Sequence, residues 1–363
     1  MSYVVVTGAN GFIGTNVVEA FLSIAPEDLG VQDGSSPKPP RFSSFGERPY
    51  RTGVDVIGSD LPESLARPAA SRFAGSVRYS YIPHDQLVDH LRSLAEPPLV
   101  VVHNGACSST VETNPEIFAR LNVGSSQTLW QYCAEYGVPF LYASSAATYG
   151  DGTQGFSDKK EDCHLYTALN LYGKSKLDFD LWALEQAIAP PVWFGLRYFN
   201  VYGPYESHKG GQASMVYHGY HQALKTGSIK LFESNSPQYG HGEQERDFIY
   251  VEDVVDVTLK LTKWALFHKQ NNPIAGKGCF VNVGRGKPET WNTLARSVFA
   301  ALELPARIEY IPIPDSIKRQ YQNYTCADLS TLHRILGEGG YLPLSFEEGI
   351  QRYIKRHLMR GGV

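Results

Sequence analysis

The sequence lacks the features of several specialised classes of protein. Its longest wholly apolar runs are short, such as Leu99–Val102, whereas a membrane-spanning helix needs about 20 apolar residues. No basic region precedes the apolar stretch at the N-terminus, so we expect no secretory signal and a cytoplasmic location. The net charge of −4 gives no general attraction for nucleic acid or an anionic membrane, and we predict neither as a partner. Any bound phosphate must then be held by a local site.

Cysteine is scarce and scattered along the chain. The five cysteines are odd in number and include no CxxC pair. This pattern is typical of reduced thiols and favours neither a disulfide framework nor a zinc site, so we predict no metal centre. Cys107 has no evident activating partner, and we assign it no catalytic role.

The composition is that of a large globular protein. Of 363 residues, 42% are hydrophobic and 19% charged, which excludes a disordered chain and suggests one large domain or two interleaved domains. Runs rich in β-branched residues at Tyr3–Val6 and Val54–Ile57 predict two buried strands, the second ending at Asp60, and a helix is predicted over residues 12–23. Residues 30–53 contain 12 Gly, Ser or Pro in 24 positions, and we interpret them as a surface insertion.

Strand-like and helix-like stretches alternate further along the chain. Strands are predicted at 99–102, 139–142 and 192–197, and helices at 118–136 and 171–185. This alternation is typical of an α/β protein with a Rossmann-like, doubly wound parallel sheet and helices on both faces.

After residue 199 the pattern changes, because loops lengthen and tyrosine and proline become frequent. We predict a dinucleotide-binding domain at 1–199 and a smaller, mixed α/β domain at 200–363 that mainly binds substrate. Parts of 247–275 are expected to return to the first domain.

Three glycines lie between the first strand and the first helix. Gly8, Gly11 and Gly14 can supply a tight turn, room for a pyrophosphate against bare backbone, and close packing of helix on sheet. The free N–H groups of the helix N-terminus would favour the anion. The spacing is GxxGxxG, one residue from the dinucleotide fingerprint, so the alternative that these glycines only shape a turn stays open.

An acidic residue at the end of the second strand supports a dinucleotide site. Asp60 lies 52 residues after Gly8, but removing an insertion of about 30 residues restores the separation of about 20 that a ribose-binding carboxylate has in this fold. Asp60 favours NAD, whereas Arg67 or Arg72 could pair with the 2′-phosphate of NADP or be solvated surface charges. The choice between the two cofactors stays open.

A YxxxK spacing on a predicted helix supplies candidate acid–base groups. Tyr172 and Lys176 are four residues apart and share one helix face. A free phenol has a pKa near 10, and a nearby cation favours the phenolate, which can then take a proton from an alcohol. YxxxK is frequent by chance, but Ser145 lies in a hydroxyl-rich segment at the end of a predicted strand, where such sheets bind ligands.

Taken in order, TGANGFIG, ASSAATYG and YGKSK resemble the extended short-chain dehydrogenase/reductase family that acts on nucleotide sugars. Further segments resemble the ADP-heptose 6-epimerase branch of that family: HNGACSST, RYFNVYGP, SHKGGQAS, ERDFIYVEDV and YIPIPDSIKRQYQ. The chain departs from this branch in the insertion at 30–53, in a longer loop at 234–244, and in Gly211, where a serine is expected near the substrate.

The resemblance implies a hydride-transfer triad of Ser145, Tyr172 and Lys176. It implies epimerisation at C6″ of ADP-D-glycero-D-manno-heptose through a transient 6″-ketone, with Lys209 as a second base. The alternative for Lys209 is a loop lysine that contacts a phosphate or solvent. Ala146 and Ala147 follow Ser145 where a dehydratase would need an acid–base pair, so dehydration is not expected.

The resemblance also implies a tightly bound NADP or NAD in each subunit. The expected cofactor-binding residues are Gly8, Gly11, Phe12, Ile13, Gly14, Asp60, Leu61, Arg67, Asn104, Gly105, Ala106, Cys107, Ser108, Asn122, Tyr172, Lys176 and Val201. The expected substrate-binding residues are Ser145, Asn200, Lys209, Gly211, His218, Phe232, Glu233, Ser234, Asn235, Arg246 and Tyr321. Among these, His218 could instead be a structural histidine.

The resemblance suggests a homo-oligomer, specifically a pentamer, and a role in making the heptose of the lipopolysaccharide core. The sequence is also compatible with two other functions. One is another nucleotide-sugar epimerase or reductase, for instance a 4-epimerase, which would give Lys209 no role. The other is a non-enzymatic NAD(P) sensor, a class that usually loses the tyrosine or lysine that this chain keeps.

Overall fold

The computed structural model describes residues 2–29, 54–271, 277–318 and 321–361, so the insertion predicted at 30–53 lies outside the described residues. The strands are β1 (Tyr3–Thr7), β2 (Asp55–Asp60), β3 (Tyr79–Pro83), β4 (Val101–His103), β5 (Phe140–Ser145), β6 (Val192–Tyr198), β7 (Asn200–Tyr202), β8 (Ile229–Phe232), β9 (Glu245–Arg246), β10 (Phe248–Tyr250), β11 (Lys277–Val283), β12 (Glu289–Thr290) and β13 (Ile308–Ile311).

The helices are α1 (Phe12–Ser23), α2 (Leu87–Ser93), α3 (Pro115–Phe118), α4 (Ser125–Glu135), α5 (Leu171–Glu185), α6 (Met215–Thr226), α7 (Val251–Asn271), α8 (Trp291–Leu302), α9 (Asp315–Lys318), α10 (Ser330–Leu336) and α11 (Phe346–Arg356). A π-helical turn over Ala119–Gly124 joins α3 to α4.

Seven parallel strands form the central sheet in the order β11-β6-β5-β4-β1-β2-β3. From β1 the chain proceeds through β2 to β3 at one edge of the sheet. From β4 it proceeds through β5 and β6 towards the other edge. The strand order therefore reverses between β1 and β4, which is where doubly wound sheets bind ligands. The predicted Rossmann-like fold class is confirmed.

Both faces of the sheet are covered by helices, as the continuous apolar run in β1 requires. Val4 and Val6 point into the core that α1 and α7 share, while Tyr3 and Val5 point into the core formed with α4 and α5. A third core is formed by α6, α8 and α11 together with the strands β7, β8 and β10.

The predicted division of the chain at residues 199 and 200 stays a prediction, but two later elements join the first part in space. Helix α7 packs in the core of α1, and β11 pairs with β6 as the seventh strand of the main sheet. The remaining strands after residue 199 form the pairs β7/β10, β8/β13 and β9/β12.

The first long helix and α5 begin and end where the sequence predicts, at 12–23 and 171–185. Strand β3 was not predicted, because its sequence YSYIP is half-buried at the sheet edge and has no continuous apolar run. The helix predicted at 118–136 is instead α3, the π-helical turn and α4 in succession.

A buried ion pair fastens α5 to the sheet. Nη2 of Arg197 on β6 lies 3.1 Å from Oδ2 of Asp180 on α5, and both side chains are fully buried. The Asp180 carboxylate also accepts hydrogen bonds from the hydroxyls of Tyr142 and Ser144 on β5, each at 2.9 Å. One carboxylate thus joins α5 to two neighbouring strands.

Two negative findings concern only the described ranges. Within them, no helix is long and apolar enough to cross a bilayer. The same part of the chain holds no group of three or more His, Cys, Asp or Glu side chains that could bind a metal ion.

We predict that Asp180→Asn destabilises the protein by about 3–5 kcal/mol, because it leaves the buried Arg197 guanidinium without its counter-charge. The matched control is Asp178→Asn, which removes an exposed ion pair with Lys174 on the same helix and should cost less than about 1 kcal/mol. Urea unfolding of both variants measures the difference. Equal losses in the two variants would contradict the role assigned to the buried pair.

Candidate active site

A cavity of about 550 Å³ opens at the carboxyl ends of β1, β4, β5 and β6. Of the residues predicted to bind a dinucleotide, sixteen line this cavity: Gly8, Gly11, Phe12, Ile13, Gly14, Asp60, Leu61, Arg67, Asn104, Gly105, Ala106, Cys107, Ser108, Tyr172, Lys176 and Val201. Ser145 and Lys209 line it too. The sequence therefore located one continuous site from segments far apart in the chain.

The glycine-rich turn brings bare backbone to the wall of the cavity. Gly8 has φ +65°, and its carbonyl accepts a hydrogen bond from the N–H of Gly11 at 2.9 Å. A Cβ placed on Gly14 would lie 1.9 Å from the Gly8 oxygen, so no larger residue fits there. The turn leads into the N-terminus of α1, and this arrangement fits the pyrophosphate of a dinucleotide.

Asp60 lies at the end of β2, beside the glycine-rich turn. Its carboxylate accepts hydrogen bonds from the N–H groups of Asn10 (3.1 Å) and Leu61 (2.8 Å), and Arg67 Nη1 lies 3.7 Å away. Burial raises the pKa of Asp60, and the backbone donors and Arg67 oppose that rise. This carboxylate is placed where the fold binds the ribose hydroxyls of a dinucleotide.

Two residues near this end of the cavity were missed by sequence reasoning. His84 and Ser125 line the cavity and lie 2.7 Å apart, Nε2 to Oγ. Burial lowers the pKa of His84, and the negative charge of Asp60 opposes that effect. His84 directly follows the unpredicted strand β3, so recognising that strand would have placed it at the site.

The triad residues come from two elements. Ser145 is the last residue of β5, and Tyr172 and Lys176 lie in the first turns of α5, whose N-cap Asn170 accepts a hydrogen bond from the N–H of Gly173 at 2.8 Å. The Lys176 ammonium donates to the carbonyl of Ala143 at 2.7 Å. All three triad side chains line the cavity.

Burial dominates the titration of the triad. It lowers the pKa of Lys176 to about 8, although the nearby Asp180 acts in the opposite direction. Burial also raises the pKa of Tyr172, and a hydrogen bond with Ser145 only partly offsets this. We expected the lysine to favour the phenolate, but desolvation is the dominant effect on the pKa of the phenol.

Asn122 does not line the cavity but lies buried directly behind it. Its side chain accepts from the N–H of Cys107 at 2.8 Å and donates to the Cys107 carbonyl and to Ser175 Oγ, at 3.0 and 2.8 Å. The prediction that Asn122 contacts the cofactor stays a prediction, and the contacts that the structure gives it are structural ones. It holds a lining segment against α5.

Lys209 reaches the same cavity from a loop after β7. Its ammonium lies 5.6 Å from the ring centroid of Phe12, at the start of α1. Burial lowers the pKa of Lys209, while the negative charge of Glu206 opposes this. A lysine that is desolvated in this way can act as a base near neutral pH more readily than a solvated one.

The remaining predicted substrate residues do not line this cavity. Arg246 lies 5% exposed, with its guanidinium carbon 5.1 Å from the ring centroid of Tyr321, and Phe232 at the end of β8 contacts the same ring. Those three side chains form one cluster. The others lie nearby in the chain or on neighbouring elements: Asn200 on β7, Gly211 in the Lys209 loop, His218 on α6, and Glu233, Ser234 and Asn235 after β8.

Other lining residues that sequence reasoning missed are Ser109, Leu121, Ala143, Ser144, Tyr198, Phe199, His208 and Gln212. Most of them are immediate neighbours of residues that were predicted. His208 and Gln212 lie in the same short segment as Lys209, Ser207–Gln212. Their closeness in sequence to a predicted base was the signal that could have identified them.

Comparisons with known proteins identify the family of this chain. The sequence profile of the NAD dependent epimerase/dehydratase family matches residues 4–272. The chain is 37% identical to the ADP-L-glycero-D-manno-heptose-6-epimerase of Nitratidesulfovibrio vulgaris, over 98% of this chain and 97% of that one. It is 34% identical to the protein of the same name from Thiobacillus denitrificans, with 98% of each covered.

A solved structure gives the same result. The crystal structure of Helicobacter pylori ADP-L-glycero-D-manno-heptose-6-epimerase superimposes with a TM-score of 0.70 at 25% identity, covering 98% of this chain and 96% of that chain. The resemblance found in the motifs is confirmed, and the cradle of bare backbone beside Asp60 fits the nicotinamide dinucleotide that the family's name implies. The chain belongs to the NAD dependent epimerase/dehydratase family.

Proposed function

We propose that this protein is an isomerase that interconverts ADP-D-glycero-D-manno-heptose and ADP-L-glycero-D-manno-heptose by epimerisation at C6″. The observation that carries the proposal is that two candidate bases from separate elements, Tyr172 and Lys209, line the same dinucleotide-type cavity. The names and near-complete coverage of the curated relatives support the choice of substrate.

A nicotinamide dinucleotide held by the glycine-rich turn and Asp60 would supply a reversible store for the hydride that leaves C6″ of the sugar. One base of the protein takes the proton of the C6″ hydroxyl while the C6″–H bond breaks. This step leaves a 6″-ketone. Rotation of the C6″ group presents its other face, the same hydride returns, and the other base, in its protonated form, gives its proton to the oxygen. Because the hydride that leaves C6″ also returns to it, the reaction has no net redox change. Proton exchange with solvent then resets the two bases.

Two bases are needed because the two epimers place the C6″ hydroxyl on opposite sides. Tyr172 on α5 serves one side, with Ser145 hydrogen-bonded to its phenol. Lys209 on its loop serves the other. The burial that lowers the pKa of Lys209 increases its neutral fraction, as a base requires.

Arg246 is the proposed site for the diphosphate of the substrate. It is nearly fully buried, burial lowers the pKa of its guanidinium to about 10, and no carboxylate of the described residues pairs with it. Its guanidinium contacts the rings of Trp291 and Tyr321 and donates to the Glu245 carbonyl. A cation that remains protonated at neutral pH in such surroundings is suited to bind an anion by bidentate hydrogen bonds. Asn200, Gly211, His218, Phe232, Glu233, Ser234, Asn235 and Tyr321 are proposed to complete the substrate site.

Two other reactions are less well supported. Dehydration needs an acid–base pair beside the site serine, and Ala146 and Ala147 occupy those positions. A 4-epimerase would have to turn the whole sugar ring in the site and would leave Lys209 without a role.

We propose NAD rather than NADP as the preferred cofactor, bound tightly and once per subunit. A 2′-phosphate would lie beside the Asp60 carboxylate and be repelled by it. Arg67 is the nearest cation, but it is paired with that same carboxylate.

We further propose that the protein is a cytoplasmic homo-oligomer, in the form of a pentamer, and that its product is used for the heptose of the lipopolysaccharide core. The free state of all five cysteines is compatible with a reducing compartment. Mass photometry of the purified protein tests the oligomer directly, since a pentamer has five times the 40.3 kDa of one chain.

We expect the purified protein to convert ADP-D-glycero-D-manno-heptose to the L-glycero epimer without added cofactor, as followed by NMR at C6″. Lys209→Met should lower turnover by at least about 100-fold, because it removes one of the two acid–base groups. Bound nicotinamide, measured after denaturation, should be unchanged. Lys174→Met, which changes an exposed lysine on the outer face of α5, is the control. Near-normal turnover by Lys209→Met would contradict the two-base proposal.

For the cofactor, we expect stripped wild-type protein to bind NAD more tightly than NADP in calorimetric titrations. Asp60→Asn should weaken NAD binding about tenfold, the loss of roughly one charged hydrogen bond, and weaken NADP binding less because the repulsion is relieved. Glu63→Gln, an exposed carboxylate three residues later, should change neither. Tighter binding of NADP by the wild-type protein would overturn the preference.

A further inference from the structure

The loop that carries Lys209 has an unusual backbone. Tyr205 adopts φ +72°, a left-handed conformation that few residues other than glycine adopt, and Gly210 has φ +55°. Such conformations persist only where surrounding contacts hold them, and they are concentrated at functional sites. Between these two residues lie His208 and Lys209, both of which line the cavity.

Glu206 provides the contacts that hold this loop. Its carboxylate is 1% exposed and accepts hydrogen bonds from the N–H of Gly203 (3.3 Å), the N–H of Ser214 (2.5 Å) and the hydroxyl of Ser214 (2.7 Å). It also bonds the phenol of Tyr353 on α11. One buried carboxylate thus connects the two ends of the segment 203–214 and ties them to the C-terminal helix.

Glu206 also acts directly on Lys209. The Lys209 N–H donates to the Glu206 carbonyl at 3.0 Å, so the two residues share one turn of backbone. The carboxylate favours the charged form of the lysine, against the effect of burial. Nothing in the proposed chemistry otherwise uses this buried acid.

Among the described residues, no second carboxylate acts on the charge of Lys209. On α1 the lysine faces the ring of Phe12, and on α11 the carboxylate faces the Tyr353 phenol. Next to Lys209, burial and the charges of Arg67 and Lys209 lower the pKa of His208 to about 4, so its imidazole is neutral at pH 7. Glu206 is therefore the nearby anion that opposes the effect of burial on the pKa of the lysine.

We propose that Glu206 is a positioning residue for the second base: it holds the 203–214 loop in its strained form, so that Lys209 reaches the cavity, and it supplies the negative charge that the Lys209 amine faces. This rests on the role of Lys209 in the proposed function. The acid does not touch the sugar or the nicotinamide, and it acts only through the loop and the lysine.

Glu206→Gln tests the proposal because it keeps the shape of the side chain and removes its charge. Turnover should fall about 10- to 100-fold from misplacement of the lysine, while bound nicotinamide is retained. The acidic limb of the pH profile of kcat/KM should move to lower pH, since the lysine loses the anion that favours its protonated form. Glu206→Asp, which keeps the charge, should restore the wild-type position of that limb and part of the turnover.

Two controls separate charge from structure. Ser214→Ala removes one hydrogen bond to Glu206 but no charge, so it should lower turnover without moving the limb. Glu252→Gln removes the charge of a carboxylate that is paired with Arg352 outside this loop, and it should leave both turnover and limb at the wild-type values.

A second measurement does not depend on turnover. The pH dependence of Lys209 labelling by an amine-reactive reagent, read by mass spectrometry, reports its pKa in each variant. A lower pKa in Glu206→Gln than in the wild type supports the proposal, and an unchanged labelling profile together with an unmoved limb overturns it. If the wild-type protein does not act on ADP-heptose, the proposed function fails while the labelling still decides the coupling of Glu206 to Lys209.

Discussion

The fully buried ion pair between Arg197 on β6 and Asp180 on α5 is the constraint on which the site depends. Its carboxylate is tied to β5 as well, so the helix carrying Tyr172 and Lys176 is fixed to the strand that ends at Ser145. The arginine is enclosed by the rings of Tyr149, Tyr166 and Phe280, which exclude water from the pair. The three triad residues come from two elements, and they keep one arrangement because the buried ion pair holds those elements together. Breaking that pair would leave an uncompensated buried charge, which costs much free energy.

A chain of hydrogen bonds does the same on the cofactor side. Thr7 Oγ1 before the glycine-rich turn lies 2.6 Å from His103 Nδ1, and His103 Nε2 lies 3.0 Å from the Ser126 hydroxyl. Ser126 bonds the carbonyl of Asn122, whose side chain bonds Ser175 on α5. Burial lowers the pKa of His103 well below its usual value, so its imidazole remains neutral within this network. The turn that suits the pyrophosphate and the helix that carries the acid–base groups are thus connected through the protein interior.

The sequence was informative where chemistry demands particular residues at fixed spacing. Gly8 and Gly14 are required to be glycines for steric reasons, and the YxxxK spacing places Tyr172 and Lys176 on one helix face. The sequence was uninformative where function comes from tertiary contacts. His84 follows an edge strand with no apolar run, and Asn122 lies behind the cavity. Glu206 is bonded to both ends of a loop whose backbone conformation no local pattern predicts.

In the proposed reaction, C6″ of the sugar is oxidised and then reduced again by one hydride that never leaves the protein. The most direct test uses ADP-D-glycero-D-manno-heptose carrying deuterium at C6″, incubated with the purified protein in ordinary water and followed by NMR and mass spectrometry. Because the same hydride returns to C6″, we expect L-glycero product that retains its deuterium at C6″. Product in which solvent hydrogen has replaced that deuterium would show that C6″ loses a proton to solvent. That result would contradict the return of the same hydride.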